Sequence, residues 1–191
     1  MKLKTSGLLL MTLLLAGCWQ KSVHPFYTEK DLVAEPKVAG AWSGQKGEHD
    51  ENKMTWTFSS ATNLRHDLTI RSDGEQHDYV AQVFRLDGTR YLDILSARPR
   101  AVSLLPVHHL FKLEEVGATL KIAPLNIEWV QEWLRKNPGA LAHLAVADPE
   151  HRSDRGHDEL VLTADTKALQ SFVRTHAKEE NFWGKTLWFG R

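Results

Sequence analysis

Seven short stretches between residues 38 and 125 repeat one pattern, each six to eight residues rich in β-branched, aromatic or aliphatic side chains and closed off by turn formers. They are Val38–Ser43, Met54–Ser59, Asp67–Ser72, Tyr79–Leu86, Tyr91–Ser96, Val107–Glu114 and Thr119–Leu125. The breaks between them read GQKGEHDEN, ATN, SDGEQ, LDGT, ARPRA and EVGA. Asp73-Gly74 and Asp87-Gly88 are hairpin signals, because a two-residue turn joining antiparallel strands needs positive φ at both central positions. Trp56 with Phe58, and Leu68 with Ile70, repeat at period two, so each pair shares one face of its strand.

At Asn126 the period changes. Trp129, Val130, Trp133 and Leu134 form a helical stripe behind an Asn N-cap, with Arg135 and Lys136 at the end where cations suit the helix dipole. A helix is expected near 126–136. The small-residue run GALAHLAV suggests a further short helical turn, and residues 147–158 (ADPEHRSDRGHD) read as an exposed polar loop. Glu159–Thr163 reads as an eighth strand. A C-terminal helix near 166–177, capped by Asp165 or Thr166, would bury Leu169, Phe172, Val173 and His176 on one face. The expected fold is mainly β with helices (α+β): an antiparallel meander of about eight strands closed as a barrel or strongly curved sheet. Eight strands can close around packed side chains or around one small ligand.

The chemistry-bearing residues are few. The chain of 191 residues carries 24 Lys+Arg against 24 Asp+Glu, so no cationic excess supports binding to nucleic acid. No Gly-x-Ser-x-Gly, Ser-x-x-Lys, His-Glu-x-x-His or Gly-rich phosphate loop occurs, and no catalytic motif emerges. Ser43 ends a strand rather than topping a strand-to-helix elbow, and adjacent Glu114 and Glu115 point to opposite faces. His108 and His109 are likewise adjacent on a strand, so one faces inward and the other outward, and without a bulge they cannot share one metal ion. His151, Asp154, His157 and Asp158 cluster in the polar loop, where solvation is the ordinary role of such groups. Neither a metal nor another cofactor is expected. Trp42, Trp56, Trp129 and Trp133, with His108 and His109, are the candidate lining of a ligand cavity; filling the core is the alternative role for the tryptophans. The aromatic tail residues Phe182, Trp183, Trp188 and Phe189 suit a lipid interface or the covering of a sheet edge, and the second is the preferred reading.

The N-terminus reads as an address. Lys2 and Lys4 precede the nine-residue apolar run Leu8–Ala16, too short for a membrane span of about 20 residues and right for a signal-peptide core. Leu15-Ala16-Gly17-Cys18 then resembles the lipobox of bacterial lipoproteins. That resemblance implies removal of residues 1–17, a diacylglycerol on the Cys18 thiol and an acylated new amine. It implies a cell-envelope location, anchored in the membrane by lipid. Trp19, rather than Asp, after the cysteine resembles the pattern of outer-membrane export to the periplasmic face, with the inner membrane the alternative. Without Met1–Gly17 the chain loses two lysines, leaving 22 basic residues against 24 acidic ones. Residues 18–37 then read as lipid anchor and tether, with Phe26, Tyr27, Leu32 and Val33 docking in part, and 38–191 as a single domain.

Two further resemblances concern the domain. Gly40-Ala41-Trp42 resembles the Gly-x-Trp of lipocalins and calycins, in which the tryptophan plugs the barrel floor. The Thr-Asp-Tyr turn of that family and its arginine near the last strand have no counterpart recognised in the sequence. The segments HPFYTEKDL, GAWSG, LLPVHHLFKL and LNIEWVQEWL resemble a set of small uncharacterised bacterial lipoproteins. The expected partners are therefore the membrane and either a small apolar ligand held in the barrel or an envelope protein that docks on the sheet edge or aromatic tail.

Overall fold

Backbone pairing closes the sheet on itself. The computed structural model describes residues 19–45, 53–96, 106–146 and 159–191; the signal segment, Cys18 and the polar loop at 148–158 lie outside the described residues. The strands are β1 (Lys21–Ser22), β2 (Gly40–Gln45), β3 (Lys53–Phe58), β4 (Arg65–Ser72), β5 (Glu75–Leu86), β6 (Thr89–Ser96), β7 (His108–Val116) and β8 (Thr119–Pro124). There follow helix α1 (Ile127–Lys136), β9 (His143–Val146), β10 (Glu159–Leu162), helix α2 (Thr166–His176) and β11 (Leu187–Gly190). Strands β2 to β8 pair in chain order, β11 lies between β8 and β2, and every neighbour in this ring of eight is antiparallel. The protein is an antiparallel eight-stranded closed barrel with extra strands and two helices, as the alternation predicts. Both Asp-Gly pairs make their tight turns with positive φ, at Asp73 (55°) and Gly74 (77°) and at Asp87 (47°) and Gly88 (82°).

The closing strand is not the expected one. Glu159–Leu162 does not enter the barrel but pairs with β9 and β1 in an extension beside β7. The eighth staff of the barrel is the C-terminal tail, β11, whose Phe189 is buried (2%) while its neighbour Trp188 stays 60% exposed. Alternation along a strand puts successive side chains on opposite faces, so one tail aromatic fills the interior and the next faces out. Trp188 and Phe189 thus lie on a strand that covers the edges of both β2 and β8, whereas Phe182 is buried in a separate core outside the barrel and Trp183 packs against it. The fit is close: a Cβ on Gly44 would lie 2.4 Å from the Trp188 carbonyl oxygen and 2.7 Å from Phe189 Cδ1. Gly44→Ala is expected to cost about 1–3 kcal/mol through overpacking at this closure, read as a lowered urea midpoint.

The expected helical turn in GALAHLAV is also replaced, by β9. Eight residues are too few to repay helix nucleation, whereas the β10 backbone offers ready partners from His143 to Val146. Both longer helices form where the stripes predict them. Asn126 Oδ1 accepts from the backbone N–H groups of Glu128 and Trp129, and the Asp165 side chain accepts from that of Ala168.

Two cores result. The barrel interior holds Trp42, Trp56, Phe58, Leu68, Ile70, Leu92, Ile94, Phe111, Leu120, Ile122 and Phe189. A second core lies outside the wall, where Phe84, Leu86, Tyr91 and Leu110 on β5 to β7 are covered by Val130 and Leu134 of α1, Leu169, Phe172 and Val173 of α2, and Leu160 and Leu162 of β10.

The N-terminal segment packs on the barrel from Trp19 onward, and Phe26, Tyr27, Leu32 and Val33 dock as expected. Beside β7, β8 ends at Pro124 opposite Phe111, and β1 takes over with Ser22 opposite His108. Beside β5, the pairing with β4 ends at Gln82, and Val33 N–H donates to the Val83 carbonyl at 3.0 Å. From α2, Thr166 Oγ1 and Gln170 Nε2 donate to the carbonyls of Pro25 (2.8 Å) and Phe26 (3.2 Å). Open strand edges carry backbone groups that must find partners, and this segment supplies them.

Candidate functional site

The six candidate ligand residues fall into three places. Trp42 and Trp56 face each other across β2 and β3 inside the barrel, with no surface that water can reach (0% each). Trp42 Nε1 donates to the Val38 carbonyl at 2.7 Å, tying the ring to the short 3₁₀ turn Pro36–Val38 that leads into the barrel. Arg191, directly after β11, sets its guanidinium 4.6 Å from the Trp42 ring and donates to the Lys37 and Ala39 carbonyls at 3.0 and 3.4 Å. Sequence reasoning misses Arg191, because it takes 159–163 as the last strand. The pairing does two jobs: a cation over an indole face is attracted by the ring quadrupole, and the donors satisfy carbonyls at the strand entrance.

Trp56 packs against Phe111 (5.5 Å, 89°), Phe189 (5.5 Å) and Trp19 (5.8 Å). Its Nε1 is buried with no hydrogen-bond partner among the described residues. Phe111, Leu92, Ile94, Leu120 and Ile122 are also at 0% exposure. No water-sized gap therefore lies beside these side chains, which pack against one another.

His108 and His109 separate as the strand period requires, and both are buried (8% and 7%). His109 faces inward, its ring 5.7 Å from Trp19 and its Nδ1 3.2 Å from the Gln20 carbonyl. Burial pushes its imidazole down from the ordinary 6.5 to about 4. Between those values the unfolded chain binds a proton at this histidine and the folded chain does not, so stability present above pH 6.5 is lost as pH falls toward 4. His109→Gln is expected to flatten that acid limb, comparing urea midpoints at pH 7 and pH 4.5. An unchanged difference between the two pH values would refute the assignment.

His108 faces the outer core. Its Nδ1 is 2.6 Å from Asp93 Oδ1, and Asp93 Oδ2 accepts the Phe26 backbone N–H at 3.3 Å. Asp93 is 2% exposed, so the carboxylate links β6, β7 and the N-terminal segment under cover. Ser22 stands opposite His108 in the strand register, which places Ser, His and Asp side by side. The Ser22 hydroxyl, however, donates to the His24 carbonyl at 2.8 Å and is wholly buried. A nucleophile needs its hydroxyl bonded to the base and open to substrate. The trio therefore orders the chain rather than performing hydrolysis.

Trp129 and Trp133 lie on α1, outside the barrel, stacked at 6.3 Å and 12°. Phe172 and His176 of α2 pack on both rings, Trp133 to His176 being 5.0 Å. His176 Nδ1 pairs with Glu179 Oε1 at 2.6 Å. These tryptophans join α1 to α2, and the barrel wall separates them from Trp42 and Trp56. One cavity cannot be lined by all four.

A polar hollow of about 390 Å³ opens on the outer surface where the β3–β4 turn folds past β4 and β5, lined by Ser59, Thr62, Asn63, Arg65, Asp67 and Gln82. Sequence reasoning did not find it, since its residues are ordinary turn and strand polar groups brought together only by the turn. Among the described residues no three His, Cys, Asp or Glu side chains gather to hold a metal ion, and no helix is long and apolar enough to cross a membrane. Glu114 and Glu115 each have their own partners, Lys112 and Thr186 for the first and Lys121 and Thr119 for the second. The fold and its sites define a closed antiparallel β-barrel whose wall carries a helical outer layer. No protein-family model, curated protein or solved structure matches this chain.

Proposed function

We propose that this chain is a lipid-anchored lipoprotein of the cell envelope, held by Cys18 at the periplasmic face of the outer membrane, whose barrel serves as a docking body for an envelope partner. The observation that carries the docking reading is the burial of the interior side chains: Trp42, Trp56, Phe111, Leu92, Ile94, Leu120 and Ile122 are all at 0% exposure. A carrier of small apolar molecules needs a cavity of roughly 300 Å³ or more, lined by apolar groups. A filled barrel instead offers a rigid surface. Support for the docking surface comes from β9, the end of the sheet among the described residues, where Leu144 is 60% exposed on a strand paired on one side only. Such an edge accepts an added strand from a partner.

The small-ligand reading has one observation in its favour. Trp19 packs among interior residues but comes from outside the barrel's own strands, so its departure would free space beside Trp56, Phe111 and His109. Native mass spectrometry of the protein purified from membranes separates the two. The docking reading expects the mass of the acylated chain alone, and a stoichiometric apolar adduct would overturn it. The anchor itself is checked with Cys18→Ser, expected to lose fatty-acid labelling and membrane association together. Retention of the variant in the membrane fraction would sink the anchor.

A further inference from the structure

We propose that the barrel is held directly and rigidly on the bilayer, with no tether between lipid and fold, through the rim of the wall where Trp19 enters. The proposal rests on the reading of Cys18 as lipidated. It follows from how Trp19, Gln20 and Ser22 are held. Trp19 is the residue immediately after Cys18, and its ring is set among the interior side chains: 4.9 Å from Phe111, 5.7 Å from His109 and 5.8 Å from Trp56. The next residue, Gln20, is 1% exposed and donates through Nε2 to the Leu160 carbonyl at 3.0 Å. Ser22 is wholly buried in the sheet opposite His108.

Consecutive Cα atoms are about 3.8 Å apart, so the acylated cysteine starts one peptide unit from a side chain locked in the barrel. A flexible tether over residues 18–37 would instead let the domain range about 24 Å from its anchor, by the square-root scaling of a flexible chain. The exit point is defined as well. It lies beside the first half of β7, where β8 has ended at Pro124 and β1 has replaced it. Acyl chains leaving that point must enter the bilayer at once, which turns this side of the wall toward the headgroups. The occupant of this rim is accordingly the membrane surface that carries the anchor. The β9 edge belongs to the same three-strand extension, β1-β10-β9, so its position above the membrane is set by the same attachment.

The test uses the full lipidated protein in vesicles of phosphatidylethanolamine and phosphatidylglycerol. Because Cys18 is the single cysteine and is blocked by lipid, a dye placed on Ser60→Cys, an exposed turn position, reports the domain alone. Time-resolved anisotropy is expected to show no independent nanosecond tumbling of the domain. Insertion of twelve Gly and Ser residues between Cys18 and Trp19 leaves the core untouched and is expected to release that tumbling. Trp19→Ala, checked for retained strand content by circular dichroism, is expected to release it in part. If the uninserted, fully acylated protein tumbles as freely as the insertion variant, the rigid attachment is wrong while the anchor stands. If the intact mass shows no acyl groups on Cys18, the anchor reading and this inference fall together.

Discussion

Truncation after Thr186 is expected to prevent the barrel from closing. Loss of β11 leaves β2 and β8 with unpaired edges, removes Phe189 from beside Trp56, and takes Arg191 off the Trp42 ring. The phenylalanine alone, in a site 2% exposed, is worth about 3–5 kcal/mol as Phe189→Ala. That is a large part of the roughly 5–15 kcal/mol by which a domain of ordinary stability stays folded. The truncated chain should show no cooperative urea transition and should aggregate through its open edges, seen by size-exclusion chromatography. Phe189→Ala should remain folded with a lowered midpoint. Trp188→Ala, on the outer face at 60% exposure, should change the midpoint by no more than about 0.5 kcal/mol despite its contact with Lys121. A truncated chain with an unshifted transition would show that the ring closes without its tail.

Asp93→Ala is the second change with a large expected effect, about 2–6 kcal/mol for two orphaned buried donors. It removes the shared acceptor of the His108 ring and the Phe26 backbone N–H, in a place where water cannot substitute. Leaving a buried donor without a partner costs far more than the net gain of forming the bond. Asp93→Asn keeps one acceptor oxygen of similar shape and should lose only about 1–3 kcal/mol. The destabilisation should also be local in a telling way. The segment around Phe26, held by Asp93 from below and by Gln170 from above, should lose amide-exchange protection before the barrel strands do. Uniform loss of protection across β2 to β8 would argue against this pinning role.

The strands of the meander were legible because each is a local pattern. Trp56 with Phe58, and Leu68 with Ile70, alternate in a few residues, and an Asp-Gly turn demands its own geometry whatever surrounds it. The helices were legible for the same reason: the Trp129–Leu134 stripe and the Asn126 cap are settled within one or two turns. The separation of His108 from His109 followed from the strand period alone. What was not legible was identity of partner. ELVLT and LWFG are equally good short strands, and nothing local says that the second closes the barrel and the first lies outside. Likewise a lead-in without periodicity reads as a tether until the ends of β4 and β8 expose edges that it fills. The polar hollow by Ser59 had no sequence signal at all, since its lining depends on a turn passing two strands.

By itself, then, the sequence determined the class of structure: antiparallel β segments in chain order and two helices capped where expected. These depend on side-chain period and turn chemistry, which act over neighbours. Only the tertiary structure decided that the tail is the eighth strand, that Trp42 and Trp56 lie in one core and Trp129 and Trp133 in another, and that Trp19 is locked into the wall. Those outcomes turn on which backbone edges remain unpaired and which apolar faces remain uncovered once the rest has folded. That is a property of the assembled barrel, carried by contacts between residues far apart in the chain.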